Sequence, residues 1–382
     1  MKIGIYAPYL NTCGGGEKYI CKLSEVLSEK HDVFFIAFDN PDIEKLKKRL
    51  GVNLDNVTFE LINTNKPFNN RFLRFVLKTL YISRMSKKYD IFINQENETA
   101  ISARSAMNVY LCQFPLMTNY NMVKDFDILL KKAIKSVLFG RYIHTYNLIV
   151  VYSHFVEQTV KRQYPENKIC VLYPPIEMAQ EYYLAKENII LNVGRFFVGG
   201  HCKKQLEMIN TFKELRDEDS TLNNWEFHLV GGVGASPEDL EYIRQCRTES
   251  LGYPIYIHAN LPSGALTEMY SKAKIYWHAT GLEDDESAHP ELMEHFGMTT
   301  VEAMSAGCVP IVINKGGQPE IVRHGIDGFL WNTVEELKQY TSKLIINEEV
   351  RKQFSKSATE RSLLFSVDNF IKNAEGIFHK IK

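Results

Sequence analysis

Residues 294–311 read EHFGMTTVEAMSAGCVPI. Glu294 and Glu302 have seven residues between them, so one carboxylate stands just ahead of a helix and the other about one turn inside it. Phe296-Gly297 leaves the backbone bare at the helix entrance. The run continues into Cys308-Val309-Pro310-Ile311-Val312-Ile313, apolar at successive positions, as a strand buried on both faces requires.

The same alternation of short apolar runs and amphipathic segments extends outward in both directions. KIGIYA (2–7), DVFFIAF (32–38), VTFELI (57–62), DIFINQ (90–95), NVYLCQF (108–114) and NLIVVYS (147–153) read as one series of strands. Helix-period segments such as 16–30 and 124–139 lie between several of them. The pattern restarts with NIILNVGR (188–195), WEFHLVGG (225–232), PIYIHANL (254–261), KIYWHAT (274–280) and CVPIVIN (308–314). Strands alternating with helices imply parallel sheets covered on both sides. Two series predict an α/β chain of two Rossmann-like, doubly wound domains, 1–178 and 179–364. Tyr173-Pro174-Pro175 opens an extended linker within 170–188. A last helix, 365–382, follows a run of helices with no further strand.

The 382 residues, 45% apolar and 24% charged, suffice for two ordinary cores. A net charge of −1 supplies no global field for nucleic acid. The seven cysteines form no CxxC, which argues against a zinc site or a disulfide framework and fits a reducing cytoplasm. The N-terminus lacks a cleavage site and reads as a first strand. No run of about 18 apolar residues would span a bilayer.

Three places carry chemistry. The first strand runs into Cys13-Gly14-Gly15-Gly16-Glu17, either a tight βα turn or a backbone that lets an anion approach a helix N-terminus. It is not the dinucleotide fingerprint. The second series opens with Val193-Gly194-Arg195, placing Arg195 at the carboxyl end of a strand. Lys203 and Lys204 fall at the start of the next helix, where the macrodipole opposes cations. An anion between them and Arg195 would offset that conflict. The third place is the 294–302 run. Thr299-x-x-Glu302 fits a capping box, which accounts for Glu302 and leaves Glu294 and the bare glycine unexplained. A sugar nucleotide would use the whole set. Carboxylates accept hydrogen bonds from hydroxyls, and free N–H groups in a first helical turn take phosphate oxygens.

The ordered set GGGE, VGR with Lys203, E-x7-E with AMSAGCVPIV, and GGQPEIV resembles the family 4 retaining glycosyltransferases, in particular their mannosyltransferases. VLYPPIE (171–177), LVGG (229–232), GALTEMYSKAKI (264–275) and HGIDGFL (324–330) extend the resemblance along the chain. It implies the GT-B fold, two Rossmann-like domains facing a cleft, with the last helix crossing back to the first domain. It further implies a hexose, mannose by preference with a glucose-type sugar as the alternative, moved from a nucleotide diphosphate sugar to a saccharide or lipid-linked saccharide acceptor in envelope polysaccharide or glycoconjugate synthesis. On this resemblance Arg195 and Lys203, with Lys204 one position away, bind the diphosphate. Glu294 binds the donor sugar, the backbone of Phe296, Gly297, Met298 and Thr299 lines sugar and diphosphate, and Glu302 binds the ribose. Gly15 and Gly16 approach the diphosphate from the first domain. Glu294, Arg195 and Lys203 carry the catalytic effect, with no metal or cofactor. Many relatives have a histidine where this chain has Gln113 on the sugar side, and glutamine takes no proton. His278 and His295 are read as structural or binding residues. A GT-B epimerase or hydrolase, and a non-catalytic nucleotide-sugar-binding protein, are the competing readings.

Residues 66–88 contain seven Lys/Arg and no acid, interleaved with Phe68, Phe72, Phe75 and Tyr81. Lys131, Lys132, Lys135 and Arg141 form a second basic stretch. Either the aromatics face the core or these segments, 66–88 and 131–141, meet an anionic membrane surface, with about 1 kcal/mol per cation. The second reading makes the chain cytoplasmic and peripheral on the inner face of the cell membrane.

Overall fold

The computed structural model describes residues 1–12, 14–38, 40–62, 71–96, 99–115, 137–138, 141–179 and 185–379. Cys13, residues 66–70, Lys131, Lys132 and Lys135 lie outside them, as does most of the 124–139 segment. The chain divides into two compact units, Met1–Pro175 with Phe370–Lys382, and Ile176–Asn369.

The first unit is built on seven strands, β1 (Lys2–Tyr6), β2 (Asp32–Ala37), β3 (Val57–Leu61), β4 (Ile91–Asn94), β5 (Met107–Cys112), β6 (Leu148–Val151) and β7 (Ile169–Val171). They pair in parallel in the order β3-β2-β1-β4-β5-β6-β7. Alternate side chains go to opposite faces. Ile3 and Ile5 of β1 therefore join Tyr19, Ile20, Leu23 and Leu27 of the helix Gly15–Ser28, while Tyr6 joins Ile36, Phe92 and Tyr110 on the other face. Phe370, Ala374 and Phe378 of the last helix, Val367–His379, complete the first of these cores.

The second unit carries β8 (Glu187–Val193), β9 (Glu226–Gly231), β10 (Ile255–Ala259), β11 (Ala273–His278), β12 (Val309–Ile313) and β13 (Phe329–Trp331). Their order is β10-β9-β8-β11-β12-β13, again with every pairing parallel. β12 is buried at all five positions, as its unbroken apolar run requires.

Two strands depart from the sequence reading. β7 occupies Ile169–Val171, overlapping the start of the 170–188 stretch expected to be linker, and β13 falls where only helices were expected. Both are three-residue edge strands, too short to display a period-two pattern.

Candidate active site

A doubly wound sheet offers its ligand crevice at the carboxyl ends of the strands where the strand order reverses. In the second unit that point lies between β8 and β11. β8 leads directly into Gly194-Arg195, and β11 ends on His278. The connection from β11 back to β12 carries Glu294 and the helix Met298–Ser305. The topology thus gathers Arg195, His278 and Glu294 from positions 83 and 16 residues apart.

Glu294 is the centre of the cluster. Its Oε2 receives Lys203 Nζ at 2.5 Å and lies 3.2 Å from His278 Nε2. Its Oε1 has no hydrogen-bond partner among the described residues. The two side chains of the Lys203–Glu294 pair are 19% and 18% exposed, so the pair is shielded yet reachable. Burial alone would raise the Glu294 carboxyl. The Lys203 charge and the hydrogen bonds from His278 and Lys203 overcome it and hold the group well below the usual carboxylate range. His278 is almost fully buried, and that burial lowers it despite the adjoining carboxylate. A neutral His278 that donates to Glu294 carries its proton on Nε2, and its buried Nδ1 has no partner among the described residues.

The backbone around this cluster is strained. Among the described residues four non-glycine positions have positive φ, and three of them flank the site: His201 (65°), Lys204 (56°) and Glu283 (67°). Gly297, at φ 112°, caps the helix Met298–Ser305, and a Cβ there would lie 2.5 Å from Gln318 Nε2. The loop ahead of it is pinned from two sides. Gly317 N–H donates to the Glu294 carbonyl at 2.7 Å, and His201 Nδ1 lies 3.0 Å from the Met293 carbonyl. The N–H groups of Met298 and Thr299 donate to no protein acceptor among the described residues. They form a small electropositive end beside Glu294.

Several expected contacts are replaced by others. Glu302 does not close a capping box, because the helix begins at Met298 and places Thr299 inside it. Glu302 instead accepts from Tyr270 Oη at 2.9 Å, and Thr299 Oγ1 accepts from Tyr276 Oη at 2.8 Å. The helix after β8 starts at Gln205, one residue beyond the two lysines, with Lys204 as its left-handed cap. Tyr242 Oη accepts from the Gln205 and Leu206 N–H groups at 2.9 and 3.4 Å. The conflict between cations and macrodipole is thus met by protein groups: Lys203 pairs with Glu294, and Lys204 lies 3.5 Å from Asp284.

Arg195 is exposed, stacks over the Phe197 ring at 5.2 Å, and makes no ion pair among the described residues. The Phe296 side chain is buried against Phe365, so only its backbone is available to line the site. In the first unit, Gly15 opens the helix Gly15–Ser28 and Glu17 Oε2 accepts from Gly14 N–H at 2.8 Å. A Cβ on Gly16 would lie 2.2 Å from Gln113 Nε2, so those two residues are packed together. Sequence reasoning missed Tyr270 and the bond between His278 and Glu294. No local spacing signals either, because each partner arrives from a different strand or helix.

Residues 177–361 match the family described as Glycosyl transferases group 1. Over 97% of its length the chain is 22% identical to the GDP-Man:Man(3)GlcNAc(2)-PP-Dol alpha-1,2-mannosyltransferase of Dictyostelium discoideum, covering 83% of that protein. Over 67% it is 25% identical to the alpha-1,3/1,6-mannosyltransferase of Rhizomucor pusillus, covering 63% of it. The chain is a GT-B glycosyltransferase. Among solved structures, the Anabaena protein HepE in complex with UDP and glucose superposes on this glycosyltransferase with a TM-score of 0.71 at 16% identity, over 100% of both chains.

Proposed function

We propose that this glycosyltransferase moves a hexose, mannose before glucose, from a nucleotide diphosphate sugar to a lipid-linked saccharide, with retention at the anomeric carbon. The observation that carries the reading is the divided Glu294 carboxylate. One oxygen is held by Lys203 and His278, and the other is open at the carboxyl end of the sheet. A carboxyl held that far below its ordinary range is a poor base and a weak nucleophile, but a strong acceptor for sugar hydroxyls. Arg195 and the N–H groups of Met298 and Thr299 suit a diphosphate. As the bond from C1 to the phosphate oxygen breaks, the acceptor oxygen bonds to C1 on the same face. Its proton passes to the departing phosphate oxygen. Cations and oriented N–H groups stabilise the charge that develops there, an effect of several kcal/mol. Glu302, oriented by Tyr270, suits the ribose. The step needs no metal, and transfer is expected to survive EDTA.

The mannosyl preference rests on relatives named for GDP-Man and for mannosyl transfer. The acceptor class rests on the PP-Dol in the first relative's name. A peripheral membrane position fits the helix Arg71–Met85 and the turn after it, where exposed Leu77, Leu80 and Tyr81 stand near Arg84, Lys87 and Lys88. No helix among the described residues is long and apolar enough to cross a membrane.

The test is a thermal-shift panel of GDP, UDP, ADP and dTDP on the parent chain and Arg195→Ala, followed by transfer assays with the matching mannose and glucose donors. A cognate nucleotide at 100 times its dissociation constant adds about 2.7 kcal/mol of stability. Selective stabilisation by GDP that is lost in Arg195→Ala, with transfer of mannose to a lipid-linked saccharide, supports the reading. Donor turnover without acceptor would instead indicate a hydrolase or epimerase.

A further inference from the structure

The amino ends of β8 and β11 border a second charged cavity, remote from Glu294. It measures about 280 Å³ and is lined by Lys186, Lys274, Glu348, Arg351, Lys352 and Ser355. Lys186 immediately precedes β8 and Lys274 is the second residue of β11, whereas Arg195 and His278 lie at the far ends of the same strands. A strand of seven residues spans about 23 Å, so the two sites occupy opposite edges of the sheet.

Four cations line this cavity with one carboxylate, Glu348, and a second, Glu349, stands 3.6 Å from Lys352 beside it, which leaves an excess of two positive charges. Holding the fold together accounts for one of the cations. Lys186 Nζ donates to the carbonyls of Ala306, Ala273 and Tyr270 at 2.6, 2.7 and 3.2 Å. Lys352 Nζ lies 3.1 Å from Glu348 and 3.6 Å from Glu349, which leaves Arg351 and Lys274. Arg351 is only 7% exposed. Its Nη1 donates to the Leu344 carbonyl at 3.1 Å, but Nη2 stays 3.8 Å from Glu348. Lys274 Nζ donates to Asn188 at 2.6 Å. Both cations lean on one ring, Lys274 at 5.8 Å and Arg351 at 5.9 Å from the Trp225 centroid. Burial and the Arg351 charge pull Lys274 below its ordinary value. Crowding like charges at the wall of a cavity is unfavourable unless an anion is present.

We infer that this cavity, formed by Lys274, Arg351 and Lys352 beside Glu348, binds a phosphate-class dianion. The positive excess exceeds what one carboxylate ligand would neutralise. A guanidinium fork also matches phosphate oxygens in pairs. The volume exceeds that of a bare phosphate and leaves room for a phosphate ester. The walls also grip the far end of the active-site helix. Lys186 holds the Ala306 carbonyl, and Ser355 Oγ donates to the Gly307 carbonyl at 2.7 Å. A ligand here therefore touches the carboxyl end of the helix whose amino end stands beside Glu294, about 12 Å away along eight residues.

The test uses the full chain carrying Arg195→Ala, which disables the first phosphate-binding candidate. Inorganic phosphate is titrated at constant ionic strength, with the melting temperature as the readout, in that chain and with Lys274→Gln/Lys352→Gln added. Lys352 is well exposed and Lys274 partly so, and the pair Lys274→Arg/Lys352→Arg controls for folding. The expected result is a saturable rise, with an apparent Kd at least tenfold weaker in the Gln pair and retained in the Arg pair. In a second arm, phosphatidylcholine vesicles with and without phosphatidate are sedimented with the same chains. A response to free phosphate assigns a soluble ligand. A response to phosphatidate alone, reduced by the Gln pair, assigns a lipid headgroup. No response in either arm, or responses equal in the Gln pair, overturns the inference.

Discussion

Replacing Lys203 with methionine tests the electrostatics of the cluster most directly. The methionine keeps most of the stem that a Cβ on Gly194 would strike at 2.6 Å, and removes only the charge. Glu294 is then left 18% exposed with His278 as its remaining partner. Removing one member of a buried pair costs about 3–5 kcal/mol. Partial exposure and the surviving His278 hydrogen bond reduce this to roughly 2–3 kcal/mol. For a unit of this size that corresponds to a fall in Tm of about 4–10 °C. The pH dependence gives the sharper check. In the parent, the folded Glu294 carboxyl lies below its unfolded value, so its contribution is complete at neutral pH and is lost only as pH falls through the depressed folded value. In Lys203→Met, burial dominates and the folded carboxyl lies above its unfolded value. The chain is then penalised at neutral pH and relieved as the carboxyl protonates. His278 acts in the same direction: without the Lys203 charge it protonates more readily beside Glu294, which also narrows the gap as pH falls. The Tm gap between parent and variant, followed by intrinsic fluorescence, should therefore be largest near about pH 7.5 and shrink toward about pH 5. Lys203→Met/Glu294→Gln should recover more than half of the loss at neutral pH. A gap that is the same at both pH values, or a double variant no more stable than the single, would refute the coupling.

Three further outcomes follow. Glu294→Gln keeps shape but weakens acceptance from sugar hydroxyls, so transfer should lose about 1.5–3 kcal/mol in kcat/KM, read from initial rates. Gly297→Ala forces a side chain into φ 112° and onto Gln318; urea denaturation should show a loss of about 1–3 kcal/mol. Tyr270→Phe removes the hydroxyl that orients Glu302. Nucleoside diphosphate binding, measured by calorimetry, should weaken by about 1 kcal/mol while the affinity for inorganic diphosphate stays the same.

Much of the fold could be read from local pattern because central parallel strands are buried on both faces and need unbroken apolar runs. β4, β6 and β12 are of this kind. The three-residue strands β7 and β13 borrow their register from a neighbour, which no local window contains. At the site, residue types were legible but partners were not. Lys203 and Glu294 are 91 positions apart, and Gln205 meets Tyr242 across 37. The capping-box pattern at Thr299 misled for a local reason. The left-handed Gly297 starts the helix earlier than a Thr299 cap would, so Glu302 turns to Tyr270 instead.

The return of the last helix to the first unit also fixes an order of events during synthesis. Phe370, Ala374 and Phe378 belong to the core that contains Tyr19 and Leu27, and the Phe370 ring meets Tyr19 edge-on at 5.3 Å. Residues 176–369 must leave the ribosome before those side chains exist. At about 5–20 residues per second that interval is roughly 10–40 s. Throughout it the nascent first unit lacks the part of its core that Phe370, Ala374 and Phe378 supply. The first unit is made first and finished last, because its core is completed only after the second has been translated.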